Sequence, residues 1–174
     1  MNVSNNLQSS NSTGLTTADA IAAVGAVANV IAANHVFKDY TDRKAKNTTR
    51  AQHGDLVVFS SYLNYVGIEE APNAELLQTQ PDSWQGMTWG IVEGFVKWQL
   101  SQGYTVASVN RRLSTIKTYS KLAAKAGTVQ RDEYQMIKAV SGYGQKEAKR
   151  VNERRETTRI GNKKAEHVSI SPEQ

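Results

Sequence analysis

One stretch of this 174-residue chain contains several basic residues and no acidic residue. Between Glu93 and Asp132 there are seven lysines and arginines and no aspartate or glutamate. The preceding stretch, residues 51–94, is the reverse, with six acidic residues and no lysine or arginine. Basic side chains that have no acidic neighbours can neutralise phosphates. This segregation therefore predicts a polyanionic partner, above all nucleic acid.

The spacing of these basic residues places many of them on one side of a helix. The fourth of five predicted helices runs from Thr105 to Ala126. At about 100° per residue, one arc holds Val106, Val109, Leu113, Ile116, Ser120, Ala123 and Ala124. The other side holds Asn110, Arg111, Ser114, Thr115, Thr118, Lys121 and Lys125, with Leu122 as the one apolar exception. An ordinary solvated face is the alternative, but such faces mix charges of both signs.

A second basic element lies at the start of the second predicted helix. It comprises Lys44, Lys46, Asn47, Thr48, Thr49, Arg50 and His53. A helix N-terminus offers free N–H groups and a positive dipole end to a phosphate. The alternative is that Asn47 or Thr48 simply caps the helix.

The residues predict no catalytic chemistry. The three histidines, His35, His53 and His167, are far apart, and the chain has no cysteine. It also lacks a glycine-rich phosphate loop and a nucleophile elbow. We therefore expect no catalytic residue, no metal site and no cofactor.

The elements that must position the basic residues are all helical. A net charge of +5 and 39% hydrophobic residues fit one domain with one modest core. Residues 1–17 are predicted to be a disordered leader, residues 18–140 a helical DNA-binding domain, and residues 141–168 a basic linker. The fold prediction is an all-α bundle of four to five helices. The predicted helices are Ala18 to about Asp39, Asn47 or Thr48 to Gly67, Thr88 to about Leu100, Thr105 to Ala126, and Arg131 to about Val140, with a loop over Glu69 to Gly86.

The run from Ala20 to Phe37 has no charged residue. It is interrupted by Gly25, Asn29 and Asn34, and an acidic residue rather than a basic one precedes it, which argues against a signal peptide or a membrane span. We therefore expect an amphipathic or buried helix, no membrane partner and a cytoplasmic location.

Two segments resemble the N-terminal core-binding domain of the tyrosine recombinases, the phage-type integrases. Residues 47–50 (NTTR) followed by Asp55, Leu56 and Phe59 resemble the family's N-T-x-R…D-L-x-x-F helix. Residues 108–116 (SVNRRLSTI) resemble its S-x-x-R-x-L-S-x-I helix. The resemblance covers roughly residues 36–140 and preserves the order of the two motifs.

The resemblance implies a SAM-like orthogonal helical bundle that forms half of a clamp around duplex DNA. Residues 169–174 are similar to the start of the separate catalytic domain, which would be missing here, so this chain would not itself be an enzyme. The implied partners are double-stranded DNA, the catalytic domain of the full-length protein and other recombinase protomers on DNA. The implied DNA-facing residues are Thr48, Arg50, Ser108, Arg111, Arg112, Lys117 and Lys121. The charge pattern adds Lys46, Thr49, Ser114, Thr118 and Lys125. Arg112 lies near the apolar arc, where a structural contact is the alternative.

Two other functions compete with a recombinase domain that acts in DNA integration and site-specific recombination. One is a freestanding helical DNA-binding regulator that recognises half-sites as a dimer. The other is a helical protein–protein adaptor in which the Ala-rich first helix docks on a neighbouring protomer.

Overall fold

The computed structural model describes residues 16–153, and this part of the chain is all-α, with no β-strand. Seven α-helices and one short 3-10 helix follow one another along the sequence. They are α1 (Thr17–Asp42), α2 (Lys46–Tyr65), α3 (Ala74–Thr79), the 3-10 helix (Pro81–Trp84), α4 (Trp89–Ser101), α5 (Val106–Ala126), α6 (Arg131–Ala139) and α7 (Gln145–Glu153).

The five predicted helices are present, and local residues fix several of their ends. The hydroxyls of Thr16, Thr88 and Thr105 accept hydrogen bonds from the first turns of α1, α4 and α5. Gly127 ends α5 in a left-handed conformation, with φ of 87°, which glycine adopts without steric cost. These signals lie within a few residues of each end, which is why the sequence predicts them.

Helix α5 lies at the centre of the bundle and packs against α1, α2, α4, α6, α7 and the 3-10 helix. The apolar arc predicted for it is buried, except that Ala124 is half-buried. The predicted polar side was wrong at Thr115, which is buried, and Leu122, the apolar exception on that side, is buried as well. The cause is that α1 and α2 cover this side of α5.

The predicted loop over Glu69 to Gly86 was wrong, because this segment contains α3 and the 3-10 helix. Asn73 caps α3 through its side chain. The indole of Trp84 is fully buried and donates a hydrogen bond of 2.8 Å to the carbonyl of Leu77. Its ring stacks between Phe59 of α2 and Tyr119 of α5. The segment therefore supplies part of the core.

The prediction that α1 is amphipathic or buried was also wrong. Phe37 is its only buried residue, and the exposed part of the helix carries apolar side chains on every side. By length and composition alone, α1 is apolar enough to cross a membrane, with a mean hydropathy of 1.7, and no other helix among residues 16–153 is. Only the C-terminal end of α1 packs on the bundle, where Phe37 and Tyr40 contact Tyr119.

The structure also contains α7 within the segment expected to be a linker. Together with α3, this helix raises the number of α-helices above the four to five expected. Residues 154–168 of the expected linker, the expected leader up to residue 15 and residues 169–174 lie outside the described part.

Candidate nucleic-acid interface

One narrow stripe of α5 remains exposed between its packed sides. Arg111, Ser114, Lys121 and Lys125 are exposed, and Thr118 is half-buried. These five residues, called the α5 stripe below, recur at steps of three and four and therefore share one side of the helix. Nothing acidic lies along α5 itself. The stripe comprises residues that the charge pattern placed together.

Lys121 and Lys125 are the free cations of the stripe. Within the part of the chain that the structure describes, neither makes an ion pair or a side-chain hydrogen bond. Lys125 lies in the last turn of α5, where a cation interacts favourably with the helix dipole. Both ammonium groups are therefore available to an external anion.

Arg111 is already paired within the fold. Its guanidinium lies 2.7 Å from one carboxylate oxygen of Asp55 and donates a hydrogen bond of 3.0 Å to the other. This two-point contact fixes the plane of the guanidinium. The Arg111 side chain nevertheless remains 53% exposed, so its outer edge can still face a ligand.

Arg112 makes the structural contact that was the alternative to DNA binding. Its side chain is only 11% exposed. Its guanidinium lies 4.1 Å from the ring centroid of Tyr104 and donates a hydrogen bond to the side chain of Gln99. It also lies 3.7 Å from Asp55. Arg112 therefore belongs to the packing of α5 rather than to its exposed stripe.

Asp55 is the acidic residue that organises this side of α5. It is almost fully buried and accepts a hydrogen bond of 2.8 Å from Thr115. Burial raises the pKa of Asp55, while Thr115, Arg111 and Arg112 act in the opposite direction. Burial also lowers the pKa of Arg112. The buried carboxylate of Asp55 thus neutralises part of the positive charge that residues 94–131 carry.

Lys117 and Ser108 are also used by the fold. The ammonium of Lys117 donates to the carbonyls of Lys138 and Val140 at the end of α6, and burial lowers its pKa. Ser108 accepts a hydrogen bond from the capping hydroxyl of Thr105. The hydroxyl of Thr118 donates to the carbonyl of Ser114. Among the hydroxyls of Ser108, Ser114 and Thr118, that of Ser114 belongs to the one exposed residue.

The start of α2 is exposed, but it does not form one continuous surface with the α5 stripe. Lys46, Thr48 and Arg50 are exposed, and Thr49 donates its hydroxyl to the carbonyl of Lys46. The helix is capped at Ala45 without a side-chain hydrogen bond. The alternative that Asn47 or Thr48 caps α2 is therefore wrong.

Hydrogen bonds between α2 and α5 show how the two elements are aligned. Tyr119 donates to Gln52, while Arg111 and Thr115 bind Asp55. The residue numbers run in opposite directions, so the start of α2 lies towards the C-terminal half of α5. Arg50, however, is five residues from Asp55 and points about 140° away from it around α2. Arg50 and the α5 stripe thus do not share one face.

Two contacts at this site were not anticipated from the sequence. One is the pairing of Asp55 with Arg111. Its only signal is that Asp55 shares the spacing of the core residues Leu56, Phe59 and Tyr62, which predicts a buried acid and hence a basic partner. The other is the pair of hydrogen bonds between the Asn110 amide and the backbone of Tyr143, for which we find no sequence signal.

The remaining chemistry of the described residues is sparse. Among residues 16–153, no group of three or more His, Asp and Glu side chains is arranged to hold a metal ion. A shallow cleft of about 340 Å³ lies between α4 and α6, where Trp89, Lys97 and Met136 line it. None of the predicted DNA-facing residues lines this cleft.

Comparisons with protein-family models, with curated proteins and with solved structures found no match to this chain.

Proposed function

We propose that this chain binds duplex DNA through the α5 stripe and acts as the core-binding domain of a tyrosine recombinase. The observation that carries the proposal is that Lys121 and Lys125 lie free and exposed on a helix without an acidic residue. A helix of 21 residues is about 30 Å long. Such a rod presents its cations at intervals that suit a row of phosphates.

The family assignment rests on the two sequence motifs. In the fold, these motifs contact each other through Asp55 of the first and Arg111 of the second. An all-α bundle with α5 at its centre is compatible with the SAM-like arrangement that the resemblance implies. We propose that this arrangement presents the stripe to DNA at a recombination site, while a separate domain cleaves and rejoins the strands.

The structure alters the choice of test residues. Arg111 and Arg112 contact Asp55, so replacing either one changes the fold as well as the charge. Lys46, Thr48 and Arg50 at the start of α2 would add phosphate contacts from a neighbouring surface. Lys121 and Lys125 are the cleanest probes because no described residue depends on them.

The decisive measurement is the salt dependence of duplex binding. Each phosphate contact contributes about −0.9 to the slope of log K against log salt concentration for B-DNA. We expect the double variant Lys121→Ala/Lys125→Ala to bind duplex more weakly at low salt, with a slope shallower by about 0.9 for each lost contact. Fluorescence anisotropy with a labelled duplex, repeated over several salt concentrations, gives both values.

The matched control is Lys97→Ala/Lys38→Ala, which removes the same charge. Both lysines lie outside the stripe, and each pairs with an acidic residue one helical turn away. We expect this variant to keep the slope of the wild type. Equal losses in the two double variants would show only a general charge effect and would contradict a role for the α5 stripe.

A further inference from the structure

Residues 138–144, called the strap below, connect the end of α6 to α7 and are fastened to the side of α5. The side-chain nitrogen of Asn110 donates a hydrogen bond of 2.8 Å to the carbonyl of Tyr143, and its side-chain oxygen accepts one of 2.9 Å from the Tyr143 N–H. Further along α5, the ammonium of Lys117 donates to two carbonyls in the first half of the strap. Two side chains of α5 thus hold the strap at two points.

The close approach of the strap to α5 depends on Gly142. A Cβ atom at this position would lie 2.5 Å from the side-chain oxygen of Asn110 and 3.1 Å from its amide carbon. Asn110 cannot move away without losing its two hydrogen bonds to Tyr143. A side chain at position 142 would therefore separate the strap from Asn110, and glycine avoids this contact.

The strap leads directly into α7 and sets the place of this helix on α5. Helix α7 begins at Gln145, two residues after Tyr143, and it packs against α5. Its half-buried residues, Ala148 and Val151, are three positions apart and therefore share one side of the helix. This side is turned towards the bundle, and the opposite side faces solvent.

The strap borders the α5 stripe along one edge. Asn110 lies four residues before Ser114 of the stripe, so the two are about 40° apart around α5. The same spacing relates Lys117 to Lys121. At the other edge of the stripe, Asp55 of α2 binds the side chain of a stripe residue. The stripe is therefore bordered by α2 on one side and by the strap on the other, and α7 starts next to it.

The solvent side of α7 carries two free cations. Lys146 and Arg150 are exposed and lie four residues apart, which is about 6 Å along the helix axis. At about 100° per residue, both point away from the side that holds Ala148 and Val151. Among residues 16–153, neither cation makes an ion pair or a side-chain hydrogen bond. Both are available to an external anion.

The two acidic residues of α7 already have partners. The carboxylate of Glu147 is turned towards the strap, where it accepts a hydrogen bond of 2.9 Å from the N–H of Gly144. This contact stabilises the first turn of the helix. Glu153 lies 3.9 Å from the ammonium of Lys149 and offsets its charge. The unpaired charge on the solvent side of α7 is therefore positive.

We propose that α7 is a second DNA-binding element, held beside the α5 stripe by the strap, and that Lys146 and Arg150 bind phosphates of the same duplex. This inference rests on the proposed binding of duplex DNA by the stripe. Charge complementarity and continuity with the stripe identify duplex DNA as the partner of α7.

Helix α7 supplies positive charge where the stripe itself has least to offer. The free cations of the stripe, Lys121 and Lys125, lie in the C-terminal half of α5. In the N-terminal half, Ser114 is uncharged and Arg111 is paired with a buried carboxylate. Because α7 starts near Asn110, its cations extend the phosphate-binding surface at that end.

Two variants separate a helix that is held in place from a loose basic tail. Lys146→Ala/Arg150→Ala removes both cations and retains α7, since alanine is the strongest helix former. Gly142→Ala removes no charge but displaces the strap from Asn110. We measure duplex binding by fluorescence anisotropy over several salt concentrations. We expect Lys146→Ala/Arg150→Ala to lower the slope of log K against log salt by about 0.9 for each lost contact, and Gly142→Ala to lower it by a similar amount.

Each variant has a matched control. Gly144→Ala lies in the same strap, but its Cβ atom would meet only an ordinary contact of 3.6 Å with Glu147, so we expect the wild-type slope. Lys97→Ala/Lys38→Ala removes two cations outside both elements and should also retain it. Because all the substituted positions are exposed, thermal melts followed by circular dichroism should show an intact bundle in every variant.

Combining the two changes tests whether they act through the same contacts. The triple variant Gly142→Ala/Lys146→Ala/Arg150→Ala should lose no more slope than Lys146→Ala/Arg150→Ala alone, because a displaced α7 has no phosphate contacts left to lose. Losses that add up would mean that Gly142 acts elsewhere and would overturn the role of the strap.

The outcomes also distinguish this inference from the proposed function. A wild-type slope in Lys146→Ala/Arg150→Ala, together with a reduced slope in Lys121→Ala/Lys125→Ala, would overturn the role of α7 and leave the stripe in place. A reduced slope in Lys146→Ala/Arg150→Ala with a wild-type slope in Gly142→Ala would show a loose tail instead of a held helix. A wild-type chain without salt-dependent duplex binding would overturn both proposals.

Discussion

At the scale of single residues, Asp55 connects the charge pattern of the sequence to the surface of the molecule. It holds Arg111 in a fixed orientation and lies close to the guanidinium of Arg112. One acidic residue from the acid-rich half of the chain thus reaches into the basic half. The partners are 56 positions apart, so no local pattern could predict their pairing.

The pH dependence of stability tests the state of Asp55. Since burial raises its pKa above 3.8, the folded chain binds more protons than the unfolded chain between 3.8 and the raised value. The contribution of Asp55 to the free energy of unfolding should therefore be greatest below pH 3.8 and fall as pH rises through that window. Urea titrations of the wild type and Asp55→Asn should show this difference declining with pH. A difference that grows with pH would mean that the two arginines dominate instead.

At the scale of elements, the segment between α2 and α4 shows where sequence patterns fail. Helices α4 and α5 could be predicted because Thr88, Thr105 and Gly127 mark their ends locally. Helix α3 has only six residues and buries just two of them, Ala74 and Leu77. That is too short for a helical period to emerge, and the neighbouring prolines and glycine suggest a loop. The burial of Trp84 depends on Phe59 and Tyr119, which are distant in sequence.

The core role of this segment is tested by Trp84→Ala. Trp84 is fully buried and stacks on two aromatic rings, so its removal leaves a large cavity. We expect the free energy of unfolding to fall by about 3–5 kcal/mol, as measured by chemical denaturation. Trp89→Ala is the control, because Trp89 is 42% exposed and its loss should cost far less. A loss for Trp84→Ala as small as that for Trp89→Ala would show that the segment does not contribute to the core.

At the scale of the whole molecule, the exposed part of α1 makes few contacts with the bundle. Only the C-terminal end of α1 packs on α5, through Phe37 and Tyr40. The all-α class, the central basic helix and the position of its stripe were all predictable from the period of the sequence. The exposure of α1 was not, because an uncharged helix has the same composition whether it is buried or not.

A truncated chain that starts at Asn34 tests this separation. We expect it to unfold within a few degrees of the full chain in a thermal melt, because residues 16–33 are almost all exposed and make few contacts with the core. It should retain salt-dependent DNA binding. A melting temperature lower by 10 °C or more would instead show that the first half of α1 supports the bundle.

The central position of α5 has a consequence for how this protein can change during evolution. Neighbouring elements fix most of the circumference of α5, so substitutions there affect stability before they affect binding. Ser114, Lys121 and Lys125, the exposed stripe positions that do not bind Asp55, are under far weaker packing constraints. Substitutions at these exposed positions can therefore change the proposed binding surface while the fold stays the same.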